Sequence, residues 1–171
     1  MKTGCYLMDT PLGIVTIAGG EDGVSGVYFA EHRHAPPTQT LGEVLPAEDL
    51  AQWPALSEAA TQLSEYFAGD RTTFDVPLAV TGTHFQQRVW AALTQIPFGQ
   101  TRSYGQIATQ IGATGAARAV GLANGRNPVS IIVPCHRVIG SDGSLTGYGG
   151  GSERKHALLE LERERSGGSL F

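Results

Sequence analysis

At 171 residues with 41% hydrophobic content, the chain can bury the core of one well-packed domain or two small ones. It holds no apolar run near the roughly 18 residues that span a bilayer. No apolar signal core follows Met1-Lys2-Thr3-Gly4-Cys5, and two cysteines are too few for a disulfide framework, so a cytoplasmic protein with free thiols and no membrane partner is expected.

Residues 6–29 read as antiparallel β structure. Leu12, Ile14, Val15 and Ile17 precede the turn-rich Gly19-Gly20-Glu21-Asp22-Gly23, and Val24, Val27, Tyr28 and Phe29 follow it, which is the pattern of a hairpin. Residues 31–46 are polar, hold three prolines and predict a mobile loop. Within it His32 and His34 suggest a metal pair, but no third ligand lies near them in sequence. Pro54 opens a helix with Leu56, Ala59, Ala60, Leu63 and Phe67 on one face, and Gly69 ends it. Residues 74–78 make a short strand or an extended connector. Thr81-Gly82 marks a domain boundary, dividing the chain into 1–80 and 81–171, because pattern and charge change together there. The net charge of −4 hides this split: residues 1–80 hold three basic and eleven acidic side chains, residues 81–171 nine basic and five acidic. Between 81 and 152 five arginines accompany Asp142 alone, which reads as a polyanion surface or a solvated face.

The second half reads as helical. Thr83-x-x-Gln86 has capping-box spacing and starts a helix at His84 with Phe85, Val89, Leu93 and Ile96 as its stripe. Ser103-x-x-Gln106 repeats the signal for a short helix through Ile107, Ala108 and Ile111. Thr114 is the expected cap of a third helix, Gly115 to Ala123. Helix, glycine turn, helix is the helix-turn-helix outline, which ordinary helical hairpins share. Arg118 is the only long charged side chain of the third helix, set among Ala116, Ala117, Ala119, Gly121 and Ala123. Such a helix suits close approach to a groove, and equally tight packing inside the domain.

Ile131-Ile132-Val133 reads as a buried strand that ends at Pro134 and leaves Cys135 and His136 at its mouth. A thiol with a pKa of about 8.5 is mostly protonated at neutral pH and needs a neighbour such as an imidazole to react. The plainer reading is a small buried hydrophobe. Residues 145–151 predict a flexible wing. Ser152 is the expected cap of a last helix carrying Leu158, Leu159, Leu161 and Glu162, with a frayed tail from Ser166.

Pro134-Cys135-His136-Arg137-Val138 resembles the Pro-Cys-His-Arg-Val signature of the O6-alkylguanine-DNA alkyltransferases. Phe85-Gln86-Gln87-Arg88-Val89-Trp90, Arg102-Ser103-Tyr104-Gly105, Ala116-Ala117-Arg118-Ala119-Val120-Gly121, Asn127-Pro128 and Gly147-Tyr148-Gly149-Gly150-Gly151 follow in the family's order. Coverage is near continuous from Thr81 to Glu162, and looser before it. The resemblance implies an α/β (α+β) fold. Its structural N-terminal domain would be β-rich, with an antiparallel sheet and a helix. Its C-terminal domain would be mostly helical, carry a helix-turn-helix and a wing, bind DNA and accept the alkyl group.

By the same resemblance, an alkyl group moves from O6-alkylguanine, and from O4-alkylthymine, in double-stranded DNA onto Cys135. His136 acts as base through a water, Glu162 orients it, Asn127 fixes the turn and Tyr104 protonates the leaving purine. Cys135 backbone, Val138, Tyr148 and Gly149 would line the pocket. Arg118 would fill the gap left by the flipped nucleotide, with Ala116, Ala117 and Gly121 entering the minor groove and Arg102 also on the DNA. The thioether product offers water no route to cleave it, so each molecule would act once, as a monomer, with no metal or organic cofactor. Cooperativity along DNA stays open. Gly149 departs from relatives that carry a serine there. Cys5 lies near an end where certain relatives bind zinc, without a matching second cysteine. Two rivals remain: a thiol hydrolase using Cys135 and His136, and a non-catalytic lesion-binding DNA module, against which the presence of Cys135 argues.

Overall fold

The structure is a computed structural model that describes residues 2–166, and the chain divides into two units, Met1–Thr81 and Gly82–Phe171. Among the described residues no helix is long and apolar enough to cross a membrane.

In the first unit β1 (Thr3–Thr10), β2 (Gly13–Gly20) and β3 (Gly23–Phe29) form an antiparallel meander, so two hairpins replace the one expected. Thr10 closes the additional turn: its hydroxyl donates to Gly13 O at 2.6 Å and accepts from Leu12 N at 3.1 Å. The stretch expected to be a mobile loop contains β4 (Glu43–Val44), which pairs in parallel with β1 at the sheet edge. Gly42 leads into it at φ 88°, where a Cβ would strike the Thr3 carbonyl. His32 accepts from Phe29 N through Nδ1 at 3.2 Å and stacks on the Phe29 ring, so it shapes a local turn. The helix α1 (Pro54–Ala68) buries Leu56, Ala59, Leu63 and Phe67, packs on the sheet and ends at Gly69 in the left-handed region.

In the second unit α2 (His84–Leu93) and α3 (Tyr104–Gln110) both begin with reciprocal capping boxes, Thr83 with Gln86 and Ser103 with Gln106. The next helix, α4 (Ala117–Gly125), starts later than expected and without a side-chain cap, because Thr114-Gly115 forms a turn with Gly115 at φ 90°. Trp90 Nε1 donates to Ala123 O at 2.9 Å and ties α2 to the end of α4. Two short strands that the sequence pattern did not reveal, β5 (Arg102–Ser103) and β6 (Val138–Ile139), pair in parallel with Arg102 opposite Val138. That pairing sets the start of α3 beside the segment that follows Cys135.

Ile131–Val133 is a turn with Ile131 at φ 72°, and no strand forms there. All three side chains are buried, so the β-branched run reports burial and not pleating. The last helix, α5 (Ser152–Arg165), starts from Gly151, and Ser152 is its first residue, not its cap. The tail expected to fray from Ser166 lies, beyond that residue, outside the described residues.

Removing a capping hydroxyl with its reciprocal partner intact costs about 1 kcal/mol. Thr83→Ala is expected to lower stability by about that amount in urea denaturation, with Gln86→Ala adding little to it because the two bonds form one motif.

Candidate active site

The turn that carries Cys135 is wound around one amide. Asn127 Oδ1 accepts from Val129 N at 3.1 Å, and Nδ2 donates to Val133 O at 2.9 Å and to Val129 O at 3.4 Å. Cys135 then opens a 3-10 turn, Cys135–Arg137, behind Pro134. The thiol is 2% exposed. Burial pushes its pKa up, and the Asn127 amide, the Lys155 ammonium, its own backbone N–H and the Ser130 hydroxyl oppose that without cancelling it. At rest the group is a thiol.

His136 and Glu162 are both fully buried, and His136 Nε2 lies 2.7 Å from Glu162 Oε2. Arg137 grips the same carboxylate with both sides of its fork, Nε to Oε1 at 2.8 Å and Nη2 to Oε2 at 3.0 Å, and its Nη1 donates to Ile96 O at 2.7 Å. Gly99 N adds a donor to Oε1 at 3.3 Å. Burial pushes the Glu162 carboxyl up, but the charges and hydrogen bonds of His136 and Arg137 outweigh it and hold the group well below the usual carboxylate range. Burial pushes the imidazole down; Glu162 opposes this, and Arg137 and Lys155 reinforce it, so His136 is neutral at neutral pH. Facing a fixed anion, Nε2 carries the proton. Nδ1 is therefore a lone-pair acceptor, and it is buried without a hydrogen-bond partner.

Lys155, on α5, is a component that hydrophobic patterning missed. It is fully buried, and its ammonium donates to Val138 O, to Thr146 O at 2.8 Å and to Tyr104 Oη at 3.4 Å. Burial lowers its pKa to about 8, against the favourable influence of Cys135. Tyr104 donates its phenolic hydrogen to Thr146 O. Asn124, in the last turn of α4, donates to Cys135 O at 3.2 Å and Gly147 O at 3.3 Å. The stretch expected to be a flexible wing is therefore held at Thr146 and Gly147 by donors from α3, α4 and α5. Gly147 sits at φ 73°, and a Cβ there would come within 2.6 Å of Tyr104 Oη.

An open cleft of about 610 Å³ runs along the outer side of these groups, with Tyr104, Ala117, Arg118, Gly121, Leu122, Thr146 and Gly147 among its walls. Arg118 is exposed there. Cys135, Val138, Tyr148 and Gly149, expected to line a pocket, are buried and are not among the residues that line this cleft. Ala116 is half-buried just before α4, and Arg102 is half-buried with its guanidinium on Thr101 O and Gln100 Oε1.

Residues 84–164 match the family described as 6-O-methylguanine DNA methyltransferase, DNA binding domain, and residues 4–80 match its ribonuclease-like domain. The chain belongs to this family. The methylated-DNA–protein-cysteine methyltransferase of Mycobacterium tuberculosis is 55% identical over 163 residues, 95% of this chain and 94% of that one. The constitutive enzyme of that name from Bacillus subtilis is 47% identical over 156 residues, 91% and 92% of the two chains. A crystal structure of the Mycobacterium tuberculosis OGT in complex with DNA superposes with a TM-score of 0.86 at 54% identity, covering 95% of this chain and 94% of that one. Within this family fold, Arg137, Asn124 and Lys155 are the site residues that sequence reasoning did not single out. Lys155 and Glu162 lie seven residues apart on one face of α5, and a charged pair at core spacing was the available signal.

Breaking a buried pair leaves the partner charge uncompensated, at a cost of about 3 kcal/mol or more. Glu162→Gln is expected to lower stability by about that amount in urea denaturation. The wild-type protein is further expected to lose stability as pH falls below about 4, where the unfolded carboxylate binds a proton that the folded one refuses. Glu162→Gln is expected to lack that part of the acid dependence.

Proposed function

We propose that this chain repairs DNA by moving an alkyl group from O6 of guanine onto Sγ of its own Cys135, once per molecule. The enzyme is a methylated-DNA–protein-cysteine methyltransferase and its C-terminal unit is the DNA-binding one. The observation that carries the residue assignment is the buried thiol whose neighbour His136 is kept neutral by burial, with the Nε2 proton directed at Glu162. Through a water, His136 Nδ1 takes the thiol proton, and the imidazolium so formed is held by Glu162, whose charge it shares with Arg137. The thiolate attacks the alkyl carbon in line, the carbon–O6 bond breaks, and its electron pair passes into the purine. Tyr104 supplies a proton to the ring, so neutral guanine leaves. The resulting phenolate lies beside the Lys155 ammonium, which stabilises it. The product is a thioether, and no group in this scheme cleaves it.

Duplex DNA carrying O6-alkylguanine, or O4-alkylthymine, is the partner. The lesion must leave the stack, at a cost of about a few kcal/mol. The exposed Arg118, on a helix otherwise low in bulk, fills the vacated space, while Ala117 and Gly121 let α4 approach the minor groove. Phosphate contacts dominate such binding and make it salt-dependent. The N-terminal unit has a structural role, the protein acts as a monomer, and its two free cysteines suit a reducing cytoplasm.

Incubation with O6-methylguanine duplex is expected to add one methyl mass to the peptide containing Cys135 and then stop. Continued product release with unmodified protein would support a hydrolase instead, and lesion binding without any mass change a non-catalytic module. Arg118→Ala is expected to slow repair of duplex at least tenfold while reaction with free O6-methylguanine is nearly unchanged; equal losses would remove the flipping role. Because His136 is neutral and Cys135 protonated near neutral pH, the proton passes between them with no net gain or loss, and the single-turnover rate on saturating duplex is expected to be nearly flat between pH 6.5 and 7.5.

A further inference from the structure

Four buried side-chain atoms among the described residues lack a hydrogen-bond partner: Asn124 Oδ1, Ser130 Oγ, His136 Nδ1 and Tyr148 Oη. Such atoms weaken the folded state and are rare in protein interiors. All four belong to residues around Cys135: Asn124 holds its carbonyl, His136 follows it, the Ser130 hydroxyl opposes the rise in its pKa, and Tyr148 feels the charge on its sulfur. The alkyl-transfer chemistry accounts for His136. It does not account for Asn124.

Asn124 is 1% exposed, in the last turn of α4. Alanine would suit that helical position better by propensity. Both amide hydrogens are committed, to Cys135 O at 3.2 Å and to Gly147 O at 3.3 Å. The amide cannot turn over to relieve Oδ1, because that would set an oxygen against two carbonyls. One side chain thus joins the helix that presents Arg118, the residue that carries the nucleophile, and the wing.

We infer that Asn124 is a positioning residue, whose amide sets the depth and orientation of Cys135 relative to α4 and the wing, so that docking α4 on DNA also places the sulfur. This rests on the alkyl-transfer reading above. Lys155 makes a similar tie three residues further along the nucleophile segment and one residue back on the wing, from Val138 O to Thr146 O. The two ties leave the nucleophile segment and the wing little freedom to part.

The test uses the full-length protein and two variants. Asn124→Asp keeps the shape, but whether ionised or protonated it satisfies at most one of the two carbonyls, and when ionised it sets a negative charge near the thiol. Its single-turnover rate on saturating O6-methylguanine duplex is expected to fall at least tenfold, with duplex affinity unchanged within twofold. The pH midpoint for alkylation of Cys135 by iodoacetamide, read by peptide mass, is expected to rise by about one unit. The other groups facing the thiol are the same in both proteins: His136 with Arg137 and Glu162, Lys155 from α5, Tyr104 from α3 and Tyr148 from the wing. The shift therefore isolates position 124. A midpoint at the wild-type value in Asn124→Asp overturns the inference, because the side chain then has no hold on the sulfur. If that variant does not fold, Asn124→Ala decides: a tenfold slower transfer with unchanged duplex affinity supports the inference, and a wild-type rate overturns it. Should the wild type itself take no methyl from duplex DNA, the alkyl-transfer reading fails, while the iodoacetamide comparison still decides the role of Asn124.

Discussion

The second unit is organised around a carboxylate with no access to solvent. Glu162 accepts from Gly99 N, His136 Nε2 and two nitrogens of Arg137. An anion in such a place is tolerable only when its lone pairs are met and its charge is matched. Meeting those demands draws in the loop after α2 through Gly99 and Ile96, the turn after the nucleophile through Arg137, and α5 itself. The same demand decides the chemistry. Because Arg137 neutralises the carboxylate, the imidazole does not have to be charged at rest, and burial keeps it neutral. Its free nitrogen is thereby available as a base.

A second set of restraints acts on backbone carbonyls. Lys155, Asn124 and Tyr104 reach the wing at Thr146 and Gly147 from three different helices, and two of them also hold the segment around Cys135. Small residues make this possible at particular points. Gly147 admits the Tyr104 phenol where a Cβ would collide, and Gly121 and Ala117 leave the outer side of α4 open along the cleft. The thiol is shielded from solvent, and the Tyr104 phenol and the wing at Thr146 and Gly147 line the open cleft.

The charge division between the two halves follows the same separation of roles. The half that forms the DNA-binding unit is the basic one, and its arginines are not equivalent. Arg118 is exposed on α4, Arg137 is committed to Glu162 in the interior, and Arg102 is occupied by neighbouring oxygen atoms. Counting arginines along the chain therefore overstates the surface charge that DNA would meet.

Local sequence sufficed for features whose causes are local. The capping boxes at Thr83 and Ser103, the proline and glycine that bound α1, and the Cys135-His136 pair are readable because each depends on residues within a few positions. Tertiary structure decided the rest. Ile131–Val133 forms a turn because Asn127 captures the backbone there, and a β-branched run cannot reveal whether burial comes from a sheet or from a coil packed on all sides. The β5–β6 pair is two residues long, too short for any periodicity. Lys155 resembles an ordinary surface lysine until folding supplies three acceptors from distant segments. The chain's own order of residues specified which groups could do chemistry, and only the folded arrangement determined their protonation and reach, because both depend on desolvation and on partners remote in sequence.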